Sequence, residues 1–316
     1  MVVTRSDLEG FLAELEEGCR DPRAGLFGPG SWMWKLSRES ILFLGGGRAA
    51  LLQLAHPYVA TAVKHHSASE RDLPGRFQRT FLNVFSMVFG DLESALGSAR
   101  RVHELHATIH GPLEETLGPF PKGHRYDANE EEALLWVYAT LTETSVMLWE
   151  RFFRPMTDLE KETFYQDSRS FARLFGIPDS VLPRTWDAFV GYFDSVLASN
   201  ILTVGEASRR LSGFLFTPPN KAIAPAWKWY KVMTAGLLPA RVRDDLGLPF
   251  GRSEKVLYTA SLATLRATWR RLPPRLRWLP AYVDARRRLQ GHTSRDRFGE
   301  VAERVVMAAL RQEPAT

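Results

Sequence analysis

Histidine is the scarcest chemistry-bearing residue of this chain after cysteine, and it is clustered. Of eight histidines, six fall between positions 56 and 110: His56, His65, His66, His103, His106 and His110. The last three stand in the run R-V-H-E-L-H-A-T-I-H-G at 101–111. A helix carried through His110 would put these three imidazoles within an arc of roughly 60°. Neutral imidazole is the commonest side-chain metal ligand and a frequent axial ligand of haem iron. The spacing H-x-x-H-x-x-x-H is not the H-E-x-x-H of zinc peptidases. Side chains at these offsets do not bend easily onto one tetrahedral ion. Three readings stay open: a mixture of core and surface histidines, direct zinc or iron binding, and axial ligation of a flat macrocycle by one imidazole. Ala107 and Gly111 leave room for the last.

Two further constellations precede this run. In R-F-Q-R-T, Arg76, Arg79 and Thr80 are spaced i, i+3, i+4 on a segment that is otherwise apolar. Guanidiniums on a largely buried helix require anionic partners, such as propionates, a phosphate or protein carboxylates. Upstream lie G-G-G-R at 45–48, ending in Arg48, then H-P at 56–57 and K-H-H-S at 64–67. Triple glycine permits close backbone approach of a ligand. The pattern is not a phosphate-binding G-x-x-x-x-G-K-[ST], and no expected strand leads into it.

The elements that must position these residues read as helices. Leu8, Phe11, Leu12 and Leu15 mark a helix over 6–18. Ser37 is the expected cap of a helix from Arg38, interrupted by Gly45-Gly46-Gly47 and restarted at His56-Pro57. Residues 75–89 are apolar around most of the circumference, which predicts a helix buried between others. Asp91 caps the next helix, which carries the histidine face to His110 and stops at Gly111-Pro112. Asn129 with Glu132 forms a capping-box pattern for a helix over 130–153. Helices near 157–175, 183–199, 203–215, 224–237, 253–271, 279–290 and 294–311 follow. No stretch alternates with period two long enough to predict a strand. The expectation is an all-α protein with one large multi-helix domain: an amino-terminal helix and loop (1–30), a helical body (31–240), and a carboxy-terminal extension (241–316) packed on it.

Composition narrows the function classes. The 316 residues are 45% hydrophobic and 24% charged, with a net charge of +5, ordinary values for a globular protein. Cys19 is the single cysteine, which excludes an intrachain disulfide and any multi-cysteine metal or iron–sulfur site. No apolar leader or membrane-length apolar run is visible, so a cytoplasmic location is expected. The basic balance carries no nucleic-acid fingerprint. W-K-W-Y-K-V-M at 227–233 mixes aromatic and basic residues as interfacial segments do, which leaves peripheral membrane contact as an alternative.

Several stretches resemble the MpaB-type oxygenase family, which includes the rubber-cleaving latex clearing proteins. They are G-G-G-R-A-A-L-L-Q-L-A-H-P-Y-V-A at 45–60, H-S at 66–67 with Asp72, G-R-F-Q-R-T-F at 75–81, V-F-G at 88–90, V-H-E-L-H-A-T-I-H-G at 102–111, and Y-D-A-N at 126–129 with L-L-W-V-Y-A at 134–139. Together they cover roughly residues 30–240. The resemblance implies an all-helical fold around a b-type haem, buried in a pocket of that fold. It implies His106 as the axial ligand, with dioxygen bound on the opposite side of the iron. Arg76 and Thr80 match the R-x-x-K-T motif near the oxygen site, with Arg79 where the latex clearing proteins have lysine and His110 where they have arginine. Arg48, His56, His66, His103 and His110 are the further expected cofactor-side residues. The implied activity is oxidation of an apolar, isoprenoid- or lipid-like molecule by dioxygen. A non-catalytic haem-binding or sensing protein and a helical lipid-surface binder are the alternatives. The family's catalytic glutamate has no clear counterpart; that region offers Lys64, His65 and His66. Tyr138 replaces a common histidine, and Glu130 follows Asn129 where D-P is usual.

Overall fold

A computed structural model describes residues 1–66, 73–292, 294–301 and 304, with the backbone alone for 73–79. Asp72 and half of the expected helix over 294–311 lie outside the described residues, as do the side chains of Arg76 and Arg79. The protein is all-α apart from two short strands.

Helix α1 (Arg5–Glu17) opens with a capping box between Thr4 and Asp7 and buries Leu8, Leu12 and Leu15. Helix α2 (Trp32–Ser37) is capped by Ser31, not entered after Ser37. A 3-10 turn (Ser40–Gly45) follows, and the glycines then begin helix α3 (Gly46–Leu54) rather than interrupting one. Pro57 starts α4 (Pro57–His66), the restart expected at His56-Pro57.

Helices α5 (Leu73–Phe89) and α6 (Leu92–Ala107) form an antiparallel hairpin closed at Gly90-Asp91, with Asp91 capping α6. Strands β1 (His110–Pro112) and β2 (Arg125–Asp127) pair antiparallel, His110 opposite Asp127. Three residues apiece are too few for a period-two pattern to show in sequence.

The 22-residue α7 (Glu131–Phe152) is the axis of the body. Its start differs from the capping-box expectation: Glu130 is the cap position without a side-chain bond. Asn129 is instead buried, its amide donating to the His103 carbonyl at 3.2 Å. The remaining helices are α8 (Asp158–Leu174), α9 (Trp186–Ala198), α10 (Glu206–Leu215), α11 (Ala224–Leu237), α12 (Ala240–Asp245), α13 (Arg252–Thr268), α14 (Pro274–Arg277) and α15 (Pro280–Leu289). No described helix is long and apolar enough to cross a membrane.

Three buried polar contacts tie α3 to its neighbours. The Trp136 indole donates to the Leu52 carbonyl at 2.9 Å, Gln53 donates to Thr140 at 2.9 Å, and Arg48 reaches Glu143 at 2.5 Å. The triple glycine serves this packing. A Cβ on Gly45 would meet Leu148 and Thr144 of α7 at 2.5 Å, and one on Gly47 would collide with Thr234 of α11. The close approach expected for a ligand is thus taken by protein side chains.

The carboxy-terminal end of α5 is held by two other elements. The Trp34 indole donates to the Val88 carbonyl at 2.8 Å, and Arg288 of α15 donates to the Phe89 carbonyl at 2.7 Å. The loop at 22–25 lies against the hairpin turn, with the Leu92 amide on the Pro22 carbonyl at 2.9 Å.

Gly45→Ala forces overpacking against α7 and should lower unfolding stability by about 1–3 kcal/mol. Gly10→Ala, on an open face of α1 with nothing near its Cβ position, should raise it by up to about 1 kcal/mol. Urea midpoints of the two variants check both signs.

Candidate functional site

The α5/α6 hairpin brings the second arginine constellation to the histidine run. Ser86 donates to the Ser94 carbonyl at 3.2 Å and Ser98 to Asn83 at 3.5 Å, which fixes the antiparallel register. In that register position 106 lies level with the first turn of α5. At 100° per residue, Arg76, Arg79, Thr80 and Asn83 fall on one stripe of α5, the stripe through which Asn83 meets α6. The open end of the hairpin therefore holds position 106 and the backbone position of Arg76, with Thr80 about one and a half turns further along α5. His106 is half-buried and Thr80 exposed. Among the described side chains of α5, from Thr80 on, the helix is not enclosed all round as its sequence suggested: Leu82 is 49% exposed, and Phe81, Val84 and Phe85 are only partly covered.

The other expected residues are dispersed. His110 is not on the helix with His103 and His106, because α6 ends at Ala107 and the chain turns through Thr108 and Ile109 into β1. His110 is exposed there. His103, about 60° round α6 from His106, is buried toward α1, and its Nδ1 has no hydrogen-bond partner among the described residues. Burial and the nearby Arg5 push its pKa down. No three-imidazole centre forms, and the described residues hold no group of three or more His, Cys, Asp or Glu able to bind a metal ion.

His56 is buried between Tyr58 and Phe120, with ring centroids 5.2 and 6.0 Å away, and its Nδ1 accepts from the Tyr58 amide at 3.3 Å. Desolvation pushes its pKa down to about 4, so the ring is neutral at pH 7. His66 is exposed at the end of α4. Arg48 is buried in the body, where Glu143, Thr144 and the Leu237 carbonyl take its protons.

Sequence reading missed a polar network beside β1 and β2. His65 Nε2 lies 2.8 Å from Glu114 and its Nδ1 3.2 Å from the Tyr126 hydroxyl, while Lys64 donates to Glu114 at 2.5 Å. Tyr58 and His124 share a hydrogen bond of 2.5 Å. The Lys64 and His65 hydrogen bonds hold the Glu114 carboxyl below the usual carboxylate range. The partners come from separate segments, so no spacing announces them.

A cavity of about 120 Å³ was also invisible in the sequence. It lies between α2, the 3-10 turn, α3, α5, α7 and α8, and none of the described histidines lines it. Phe43, Phe81 and Phe85 pack edge to face along it, Phe43 being 5.0 Å from Phe81 and 5.9 Å from Phe85. The buried Glu39 borders it, paired with Arg277 at 3.0 Å and Arg38 at 3.5 Å. Desolvation outweighs these cations and raises the Glu39 pKa.

Comparison with known proteins gives one family. The model described as "ER-bound oxygenase mpaB/B'/Rubber oxygenase, catalytic domain" matches residues 34–271. Two uncharacterized proteins, one from Mycobacterium bovis and one from Mycobacterium tuberculosis, are each 26% identical over 160 residues. That alignment covers 50% of this chain and 62% of each relative. No solved structure matches.

The depressed His56 pKa makes stability fall with acidification. The unfolded chain binds the proton near 6.5 and the fold near 4. The contribution is therefore complete above 6.5 and lost as pH falls through that window, up to about 3 kcal/mol. Urea titrations at stepped pH should show this slope reduced in His56→Gln, with His103 adding a smaller effect of the same sign.

Proposed function

The chain belongs to the family of the ER-bound oxygenase mpaB and the rubber oxygenase catalytic domain, and from that membership we propose that it is a haem-dependent oxygenase of an apolar, isoprenoid- or lipid-like substrate. The family assignment supports an oxygen-using enzyme with a small-molecule substrate. The single observation that supports the finer reading is the hairpin register, in which position 106 is level with the first turn of α5, where the Arg76–Thr80 stripe begins.

The residues suit the group in donor chemistry. A haem iron takes four donors from its macrocycle and asks for as little as one from protein. His106 offers one half-buried imidazole at the end of α6. Beside it, α5 exposes apolar surface, and its sequence supplies two guanidiniums and a hydroxyl. His106 would hold the iron. Arg76 and Arg79 would balance the propionate charges, and Thr80 would offer its hydroxyl as a hydrogen-bond donor on the oxygen side. Bound haem b would supply the iron that takes up and activates dioxygen. The protein's own part is the ligand, the charge balance and an apolar surround that keeps water away from the reacting substrate.

Two departures from the family pattern have structural answers. Tyr138, where a histidine is common, is buried and hydrogen-bonded to Ser168 at 2.7 Å, so it serves the core. Lys64 and His65, in the region of the missing catalytic glutamate, are occupied by Glu114. A proton acceptor at that place would have to be the Glu114–His65 pair. A cytoplasmic location belongs to the same proposal.

The haem-loaded protein should show a Soret band that His106→Ala abolishes. Thr80→Val and Arg76→Ala should keep the band and lower kcat/KM for oxygen uptake with an unsaturated isoprenoid by about tenfold or more, about 1.4 kcal/mol of barrier. Protein that stays colourless after haem addition overturns the proposal. A Soret band with no oxygen uptake on any unsaturated lipid or isoprenoid identifies a haem-binding protein instead of an enzyme.

A further inference from the structure

Helix α13 buries no residue. Its inner side, Tyr258, Leu262, Leu265 and then Trp269, leans on a cluster with Ile41, Leu148 and Met233. The Trp229 indole donates to Ser261 at 2.9 Å, and Arg151 to the Tyr258 hydroxyl at 3.1 Å. At 100° per residue, Val256, Ala260, Ala263 and Ala267 fall opposite that side as an outward apolar stripe. Arg252, Lys255, Arg266 and Arg270 border the stripe. Val256 is 65% exposed, Leu257 42%, and Leu276 of α14 56%. A shallow depression lined by Arg252, Val256, Leu257 and Ala260 runs along this face.

The charge here is segregated. Residues 252–277 contain seven Arg or Lys and one acid, a net +6 against +5 for the whole chain, which leaves the other residues at −1. Several cations elsewhere are matched: Arg48, Lys64, Arg100, Arg154, Arg169 and Arg173 each hold a carboxylate. On this face Arg252, Lys255, Arg266, Arg270, Arg271 and Arg275 are all exposed, and none is paired with a carboxylate among the described residues.

We propose that the outer face of α13, continued by α14, docks the protein on an anionic lipid bilayer. The occupant follows from the mixture. Unpaired cations seek anionic phosphates, but a nucleic acid has no use for exposed Val256, Leu257 and Leu276 between them. A bilayer surface takes both, the charges at the headgroups and the apolar side chains at the acyl boundary. The stripe is shallow, alanine for the most part, so attraction is mainly electrostatic and reversible. It decays within a Debye length. The surface stands apart from the open end of the α5/α6 hairpin and does not depend on what chemistry occurs there.

Vesicle co-sedimentation of the full chain tests the proposal. The protein should pellet with phosphatidylcholine vesicles containing about a quarter phosphatidylserine and stay in solution with phosphatidylcholine alone. Raising salt from about 0.05 M to about 0.5 M should release it. Arg266→Glu with Arg270→Glu and Arg271→Glu should cut partitioning about 30-fold or more, and Val256→Ser with Leu276→Ser about 3- to 10-fold, both with an unchanged thermal midpoint. Equal binding to neutral vesicles overturns the proposal, as does undiminished binding of the triple variant. So does a preference for duplex nucleic acid that the apolar variant retains. A dimer that Val256→Ser dissociates, with no vesicle binding by the wild type, overturns it in favour of a second copy of this chain.

Discussion

The body of the molecule depends on keeping one guanidinium comfortable in the dark. Arg48 sits on α3, buried, and its donors end on Glu143 and Thr144 of α7 and on the Leu237 carbonyl of α11. Removing either partner of such a pair leaves an uncompensated charge, commonly about 3–5 kcal/mol. The pair therefore specifies how three helices meet more than it adds to net stability. Gly45 and Gly47 bring the backbone close enough for those side chains to meet. The Phe193 ring, 5.9 Å from the guanidinium carbon, brings α9 to the same point.

With that frame set, the α5/α6 hairpin has few places to go. Helix α6 is fixed against α1 by the Arg100–Glu9 pair at 2.8 Å and by Asn129 on the His103 carbonyl. The antiparallel hairpin then sets the partially exposed His106 level with the first turn of α5. The histidine cluster seen in the sequence thus separates into different physical roles. His56 and His103 are buried, and burial disfavours the protonated form of both. His65 and His124 belong to a tyrosine–carboxylate network.

Helix existence was readable from periodicity and, at Asp91, from a cap whose side-chain oxygen takes the Ser94 amide, whereas neither Ser37 nor Asn129 caps a helix start. Local chemistry of that kind lies within a few residues. The family membership was readable as well, because motif order survives where overall identity is low. Legibility failed wherever a long-range contact competed with a local one. Asn129 had the right neighbour for a capping box, yet the His103 carbonyl claims its amide. The arc of three histidines assumed a helix three residues longer than α6, and the pairing of His110 with Asp127 ends that assumption. The cavity between six elements and the Glu114 network have no local signature at all. The grip on the last turn of α5 and the exposure of Leu82 were also hidden, since an apolar circumference says only what a helix can bury.

That attachment has a mechanical meaning. Met87, Val88 and Phe89 are buried, and Trp34 and Arg288 grip the last carbonyls, while Thr80 and Leu82 face outward. Trp34 comes from the start of the chain and Arg288 from near its end, so the last turn of α5 is a knot that joins the two. Arg288 also donates to the Arg23 carbonyl, and the loop at 22–25 holds the first amide of α6. The turn between α5 and α6 is thereby a lock that closes early and late segments of the chain on one another.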